Sequence, residues 1–294
     1  MLSVLIPTYC YNTFPLVKVL HKQCVKANIT FEIIVMDDGS RAFDNVHQAI
    51  NELSGCQFIA LPENIGRSCI RNLLAKKAKF NHLLFLDADV MPATPNFIRE
   101  YLKWLDDEEK VVSGGLLYRE NRPDNAYLLR WKYGHSREAV PAHIRRLKPY
   151  QRLLASNFLI QKALINKVPF NEKISDLRRE DTLFSYNLMQ HHVHVVHIDN
   201  PVYHDGLDNF NCTLLKEKQS LEGLHLMVQQ QQLPAEYLKM SLLFKYISDL
   251  RLHRHLVWLF KLAEKQLLKN LSGSNPSLWL FDLYRIGYLC SLKR

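Results

Sequence analysis

Asp87-Ala88-Asp89 closes an apolar run, Leu83-Leu84-Phe85-Leu86. In a strand, residues i and i+2 face the same side, so both carboxylates reach toward one cation. Two carboxylates together with phosphate oxygens suit Mg2+ or Mn2+ bridging a diphosphate. The alternative is a solvated acidic pair capping the next helix. Three further apolar runs, 2–6, 32–36 and 56–61, also end in polar groups. These are Pro7-Thr8-Tyr9, Asp37-Asp38-Gly39-Ser40 and Pro62-Glu63-Asn64-Ile65-Gly66-Arg67-Ser68. Adjacent acids such as Asp37 and Asp38 are costly at the end of a buried strand unless donors answer them, and the N–H and O–H groups of a base or ribose would do so. An Asp-Gly turn with Ser40 as a helix cap is the plainer account. In the third segment Gly66 permits a tight turn and the helix N-terminus favours an anion. Arg67 or Arg71 adds a cation for phosphate.

The elements that must hold these groups follow from the apolar pattern. The runs 2–6, 32–36, 56–61 and 82–86 lack in/out alternation and are separated by helix-like stretches near 15–27, 43–53, 66–79 and 94–106. That pattern predicts an α/β fold whose mostly parallel sheet is covered on both faces. In such sheets ligands bind beyond the carboxyl ends of the strands, where all four polar segments converge. Runs 111–117, 157–161 and 193–199 are further strand candidates, and from about residue 211 the pattern is helical only.

The four segments, in this order and spacing, resemble those of family 2 glycosyltransferases of the GT-A fold, over about residues 1–210. The resemblance implies an enzyme with a nucleotide-sugar donor, such as a UDP-sugar, bound by a Rossmann-like sheet at 1–210; the helical pattern makes 211–294 a C-terminal extension of it. It assigns Thr8, Tyr9, Asp38 and Arg71 to the nucleoside, with Asp37, Asn64, Gly66 and Arg67 on the same rim. Asp87 and Asp89 fall at the metal–diphosphate site. Ala155-Ser156-Asn157-Phe158 is similar to the segment lining the sugar and acceptor pocket, which adds Asn157. Arg179-Glu180-Asp181 is similar to the family's Gly-Glu-Asp motif, with Arg in place of Gly. Its second acid, Asp181, would be the general base, with Glu180 beside it. Without the resemblance, both read as first-turn acids of a helix. His204, after the last strand, stands where family members place a metal-binding His. The implied transfer is inverting. Arg130-Trp131 has Tyr127 where the processive signature has Gln, so transfer of one sugar is expected.

Charge sharpens the partner classes. The net charge of +9 over 294 residues sits in two places: 118–153 carries nine Lys/Arg against three acids, and 211–294 twelve against six. The first is expected to form a basic insertion on the acceptor side, facing a glycan or lipid-linked glycan of cell-surface polysaccharide synthesis. The second suits either a packed bundle or an anionic membrane surface. Nucleic acid fits poorly, because the rim is acidic. His191, His192, His194 and His197 are divided between a helix end and a strand, and solvated surface histidines are expected there. Six scattered cysteines, a leading apolar run too short for a signal peptide and no 18-residue apolar stretch suggest a cytoplasmic protein, and the membrane reading of the basic tail would make it peripheral on the inner face of the cell membrane. A nucleotidyltransferase would need a Gly-rich loop after the first strand, where Pro7-Thr8-Tyr9-Cys10-Tyr11-Asn12 has no Gly. A non-catalytic protein on the same fold would be expected to lack Asp87, Asp89 or Asp181.

Overall fold

The computed structural model describes residues 1–174 and 178–292. The strands are β1 (Leu2–Thr8), β2 (Phe31–Asp37), β3 (Cys56–Ala60), β4 (His82–Leu86), β5 (Val90–Pro92), β6 (Lys110–Ser113), β7 (Leu116–Leu117), β8 (Asn157–Gln161), β9 (His194–His197) and β10 (Val202–His204). The first eight α-helices are α1 (Phe14–Lys26), α2 (Asp44–Gln48), α3 (Arg67–Lys77), α4 (Phe97–Leu102), α5 (Leu128–Tyr133), α6 (Ala142–Arg145), α7 (Lys162–Lys167) and α8 (Glu180–Gln190). Four more follow: α9 (Phe210–Gln229), α10 (Lys239–Asp249), α11 (His253–Leu271) and α12 (Leu278–Ser291). The described residues fall into two compact units. One takes in 1–119, 138–174 and 180–206, the other 120–137, 178–179 and 207–292. The basic stretch 118–153 is therefore shared between them.

In the first unit seven strands run in the order β3-β2-β1-β4-β8-β6-β9. Strand β8 is antiparallel to both β4 and β6, while the pairs β1–β2, β1–β4, β2–β3 and β6–β9 are parallel. Alternate residues of each central strand enter opposite cores. Leu2, Val4 and Ile6 pack with Leu16, Val17 and Leu20 of α1, whereas Leu5, Ile34 and Phe85 pack with Ile70 and Leu74 of α3. Covering both faces explains why the runs read as continuously apolar. The predicted strand 111–117 breaks at Gly114-Gly115, and β7 passes to a second sheet, β5-β10-β7. A Cβ on Gly114 would stand 2.3 Å from the Asn200 carbonyl oxygen, and Gly115 has φ +89°. Only glycine passes there.

The histidine expectation holds for His191, His192 and His194, which are exposed, and fails for His197, which is fully buried. Arg145, part of the basic stretch expected to face the acceptor, is buried with it. Its guanidinium donates to the carbonyls of Ser113, Gly114 and Ile198 and lies 2.6 Å from His197 Nδ1. Since Nδ1 accepts from arginine, the Nε2 proton points to the Pro149 oxygen at 2.9 Å. Such a histidine must stay neutral, and burial, then the charges of Arg145 and Arg146, push its pKa down from 6.5 to about 4 despite the Pro149 hydrogen bond. Between those values the unfolded chain binds the extra proton, so stability is complete above about pH 6.5 and falls as pH drops toward 4. The loss reaches at most about 3 kcal/mol. Thermal melts from pH 7.5 to 5 should show this slope, and His197→Gln should flatten it.

The second unit is helical. Leu129, Phe260, Leu267, Leu271, Phe281 and Tyr284 form one core cluster, and Leu221, Ile286, Leu289 and Cys290 another. Within α12, Arg285 is buried and bridges Glu217 at 2.7 Å and Asp282 at 3.1 Å. Among the described residues, no helix is long and apolar enough to cross a membrane.

Candidate active site

The parallel strands β1, β2 and β4 bring their carboxyl ends to one rim, and each polar end is held by its neighbours. Asp37 is buried and accepts from the Ser40 and Arg41 amides at 2.7 and 3.0 Å and from Ser40 Oγ at 2.6 Å. Asp38 accepts from the amides of Ile65 and Gly66 at 2.7 and 3.1 Å. Burial raises its pKa, opposed by those two hydrogen bonds. Gly39 lets the turn lie on the next loop, since a Cβ there would meet the Glu63 backbone at 2.5 Å. Where the sequence offered a base or ribose as donor to Asp37 and Asp38, the donors that meet them in the fold are the protein's own amides and the Ser40 hydroxyl. Thr8 Oγ1 donates to the Tyr11 carbonyl at 3.1 Å, while the Tyr9 side chain stands exposed on the rim. Asn64 Oδ1 accepts from the Gly66 amide, and Gly66, at φ +86°, leads into α3.

Arg71, one turn into α3, is buried and spans two acids. Its Nη2 donates to Asp87 Oδ1 at 2.8 Å and its Nη1 to Glu180 Oε1 at 3.0 Å. Arg67, half exposed, lies 3.6 Å from the same Glu180 oxygen. Burial alone would lower the Arg71 pKa, but Asp87 and Glu180 outweigh it and hold the group charged. Nothing in the sequence links positions 71, 87 and 180; the link exists because α3 packs beside β1, the partner of β4 that leads to Asp87, and Glu180 at the start of α8 reaches Arg71. The two acids of the Arg-Glu-Asp segment are now distinct. Glu180 is an anchor, 5% exposed. Asp181 is less enclosed and its Oδ1 accepts from the Thr182 amide at 2.7 Å. Arg179 has φ +81°, in the left-handed region that glycine enters freely.

Asp89 is met from β10. The antiparallel pairing places His204 opposite Val90, and His204 Nε2 lies 3.4 Å from Asp89 Oδ2. The other ring nitrogen, Nδ1, is buried with no hydrogen-bond partner among the described residues. Tyr118 stacks on the ring at 5.5 Å, a contact with no sequence signal. A Cβ on Gly206 would stand 2.4 Å from Asp89 Oδ2, so the backbone closes over that acid. The Tyr11 hydroxyl has its pKa raised by burial and then by the charges of Asp89 and Asp205, which marks concentrated negative potential. A carboxylate oxygen facing an imidazole nitrogen in such a field fits a divalent cation that accepts mixed O and N donors. Asp87 is turned to Arg71 instead. Among the described residues no three His, Cys, Asp or Glu side chains form a ready cage. Asn157 is fully occupied within the fold: Tyr101 donates to its Oδ1 at 2.7 Å, and its Nδ2 donates to the Gly115 and Asn200 carbonyls at 2.9 and 3.0 Å. It fixes the passage between the two sheets.

The sheet order and acidic rim define the GT-A class of nucleotide-sugar folds. The fold is shared with a mannosyltransferase from Pyrobaculum calidifontis in complex with GDP-Man and Mn2+, with TM-score 0.57 and 15% identity over 99% of this chain and 86% of that one. It occurs again in glucosyl-3-phosphoglycerate synthase from Mycobacterium tuberculosis with Mg2+ and uridine diphosphate, TM-score 0.51 and 14% identity over 80% of each chain. The profile of glycosyl transferase family 2 matches residues 3–172, and the chain belongs to that family. Chondroitin synthase of Escherichia coli is 25% identical over 172 residues, which are 57% of this chain and 21% of that protein. The chain thus spans about a fifth of the length of that relative.

Proposed function

We propose that this protein transfers one sugar from a nucleotide-sugar donor, a UDP-sugar, to a hydroxyl of a glycan, with inversion at the anomeric carbon. The observation that carries this reading is the Arg71 bridge. One guanidinium spans Asp87, at the end of β4, and Glu180, the residue before Asp181. It thereby sets the proposed base at a fixed reach from the side where a diphosphate would lie. Asp181 would take the acceptor hydroxyl proton as that oxygen attacks the anomeric carbon and the nucleoside diphosphate leaves. The α3 N-terminus with Arg67 would offset the negative charge on the departing phosphates. Tyr9 and the loop shaped by Asp38 and Asn64–Gly66 would receive the nucleoside. Asp89 and His204, with the outer oxygen of Asp87, would hold a divalent cation, Mn2+ or Mg2+, which when bound neutralises the leaving diphosphate. Relatives that bind UDP or GDP-Man with Mg2+ or Mn2+ on the same fold support the donor class and the cation. A lipid-linked acceptor in cell-surface polysaccharide synthesis, at the inner face of the cell membrane, extends the same reading.

A thermal-shift screen of nucleotide sugars, with Mn2+ or Mg2+ and with chelator, tests it. A ligand at a hundredfold excess over its Kd adds about 2.7 kcal/mol to the folded state. A UDP-sugar should raise Tm in a cation-dependent way, and Asp89→Ala should remove the cation-dependent part. No shift with any nucleotide sugar would overturn the reading.

A further inference from the structure

The helical unit carries apolar residues on two faces, and its own core accounts for only one. Along α10, Met240, Phe244 and Ile247 recur at helical spacing and pack inward with Leu221 and Leu289. Leu243, Tyr246 and Leu250 form a second row, at i, i+3 and i+7, exposed by 47%, 57% and 67%. The next helix repeats the arrangement. Phe260, Leu267 and Leu271 of α11 enter the core, while Trp258, Leu259 and Leu262 stand 62%, 52% and 64% exposed on the far side. A monomer gains nothing by presenting a tryptophan and several leucines to water on successive helices.

The charge around these rows identifies the occupant. Residues 239–271 hold seven Lys/Arg against two acids. Arg251 and Arg254 lie at the α10–α11 corner, and Lys261, Lys265 and Lys269 continue along the exposed side of α11. All five are exposed. Lys245, by contrast, is paired with Glu236 at 2.5 Å. A second copy of the chain would set these like charges against one another. A folded partner protein would have to match both apolar rows and carry its own acidic rim. An anionic bilayer answers both features together: its headgroups attract the cations, and Trp and Leu enter the acyl boundary.

We propose that α10 and α11 form a membrane-docking face that lies in the plane of an anionic lipid surface. This gives the proposed membrane location a structural basis but does not bear on the transfer chemistry, so absence of vesicle binding would leave the nucleotide-sugar test intact, and the reverse. The test is flotation of the full chain with vesicles of phosphatidylcholine alone or mixed with phosphatidylglycerol. Binding should be at least about tenfold stronger to the mixed vesicles and should weaken as salt is raised. The double variant Trp258→Glu/Leu262→Glu should lose about tenfold or more of that binding. Lys261→Glu/Lys265→Glu should abolish the preference for anionic lipid. Leu147→Glu, at a 76% exposed leucine of the other unit, should bind as the unaltered chain does. All of these positions are exposed, and unchanged thermal melts of the nucleotide-sugar-free protein would show the variants folded. Absence of vesicle binding, or equal binding by all variants, overturns the proposal. So does a concentration-dependent dimer that the 258/262 pair abolishes without any vesicle binding, since it gives the face to a second copy.

Discussion

Asp181→Asn is expected to lower kcat by about 10²–10⁴-fold while leaving donor binding and Tm close to those of the unaltered protein. The geometry makes the substitution clean. Asp181 Oδ1 accepts from the Thr182 amide, and an asparagine oxygen accepts from it equally well, so the start of α8 is kept. What is lost is the ability to take a proton. If the chemical step depends on that ability, kcat and kcat/KM fall together and KM changes little. Glu180→Gln is the informative companion, because Glu180 is buried against Arg71 and Arg67 and its loss should appear as instability as well as lost turnover. Steady-state kinetics with a nucleotide sugar identified by thermal shift, together with melts of both variants, separates the two. Turnover within about threefold of the unaltered protein in Asp181→Asn would remove Asp181 as the base.

Arg71→Ala should be the most damaging change to the rim. Truncation leaves Glu180, 5% exposed, with Arg67 at 3.6 Å as its remaining cation. Breaking a buried ion pair by removing one partner costs roughly 3–5 kcal/mol, because the other charge stays buried and uncompensated. The guanidinium also lies 5.5 Å from the Phe170 ring, so packing is lost as well. Arg71→Lys restores a charge but has no planar fork to reach two acids at once, and should recover only part of the stability. Urea or thermal unfolding measures the cost, and a loss below about 1 kcal/mol would mean that the bridge contributes little to holding the rim together.

Several parts of this protein were legible from residue order because they rest on local rules. Apolar runs without alternation announced a sheet buried on both faces, and the polar ends of those runs announced the rim. The break of the predicted strand at Gly114-Gly115 was not legible, because Gly114 answers the crowding of Asn200, Asn157 and Tyr101, and Gly115 that of the Arg145 guanidinium, all remote in sequence. The burial of Arg145 and His197 was hidden for a related reason: a basic stretch reads as solvated unless distant carbonyls are known to converge on one of its members. Asn157 was legible as a polar residue at a strand start, but its three hydrogen bonds stay within the fold.

The sequence by itself determined the seven strands of the main sheet, the acidic rim with its glycine turn, and the family, because these depend on side-chain type and short spacing. The short strands β5 and β10 were not legible, and His204, expected after the last strand, lies within β10. Only the tertiary structure decided which carboxylate is paired with which cation. Arg71 binds Asp87 and Glu180 across separations of 16 and 109 residues, and His204 reaches Asp89 through the β5–β10 register. Such pairings are set by how strands and helices stack, where a charge removed from water must find its partner in space.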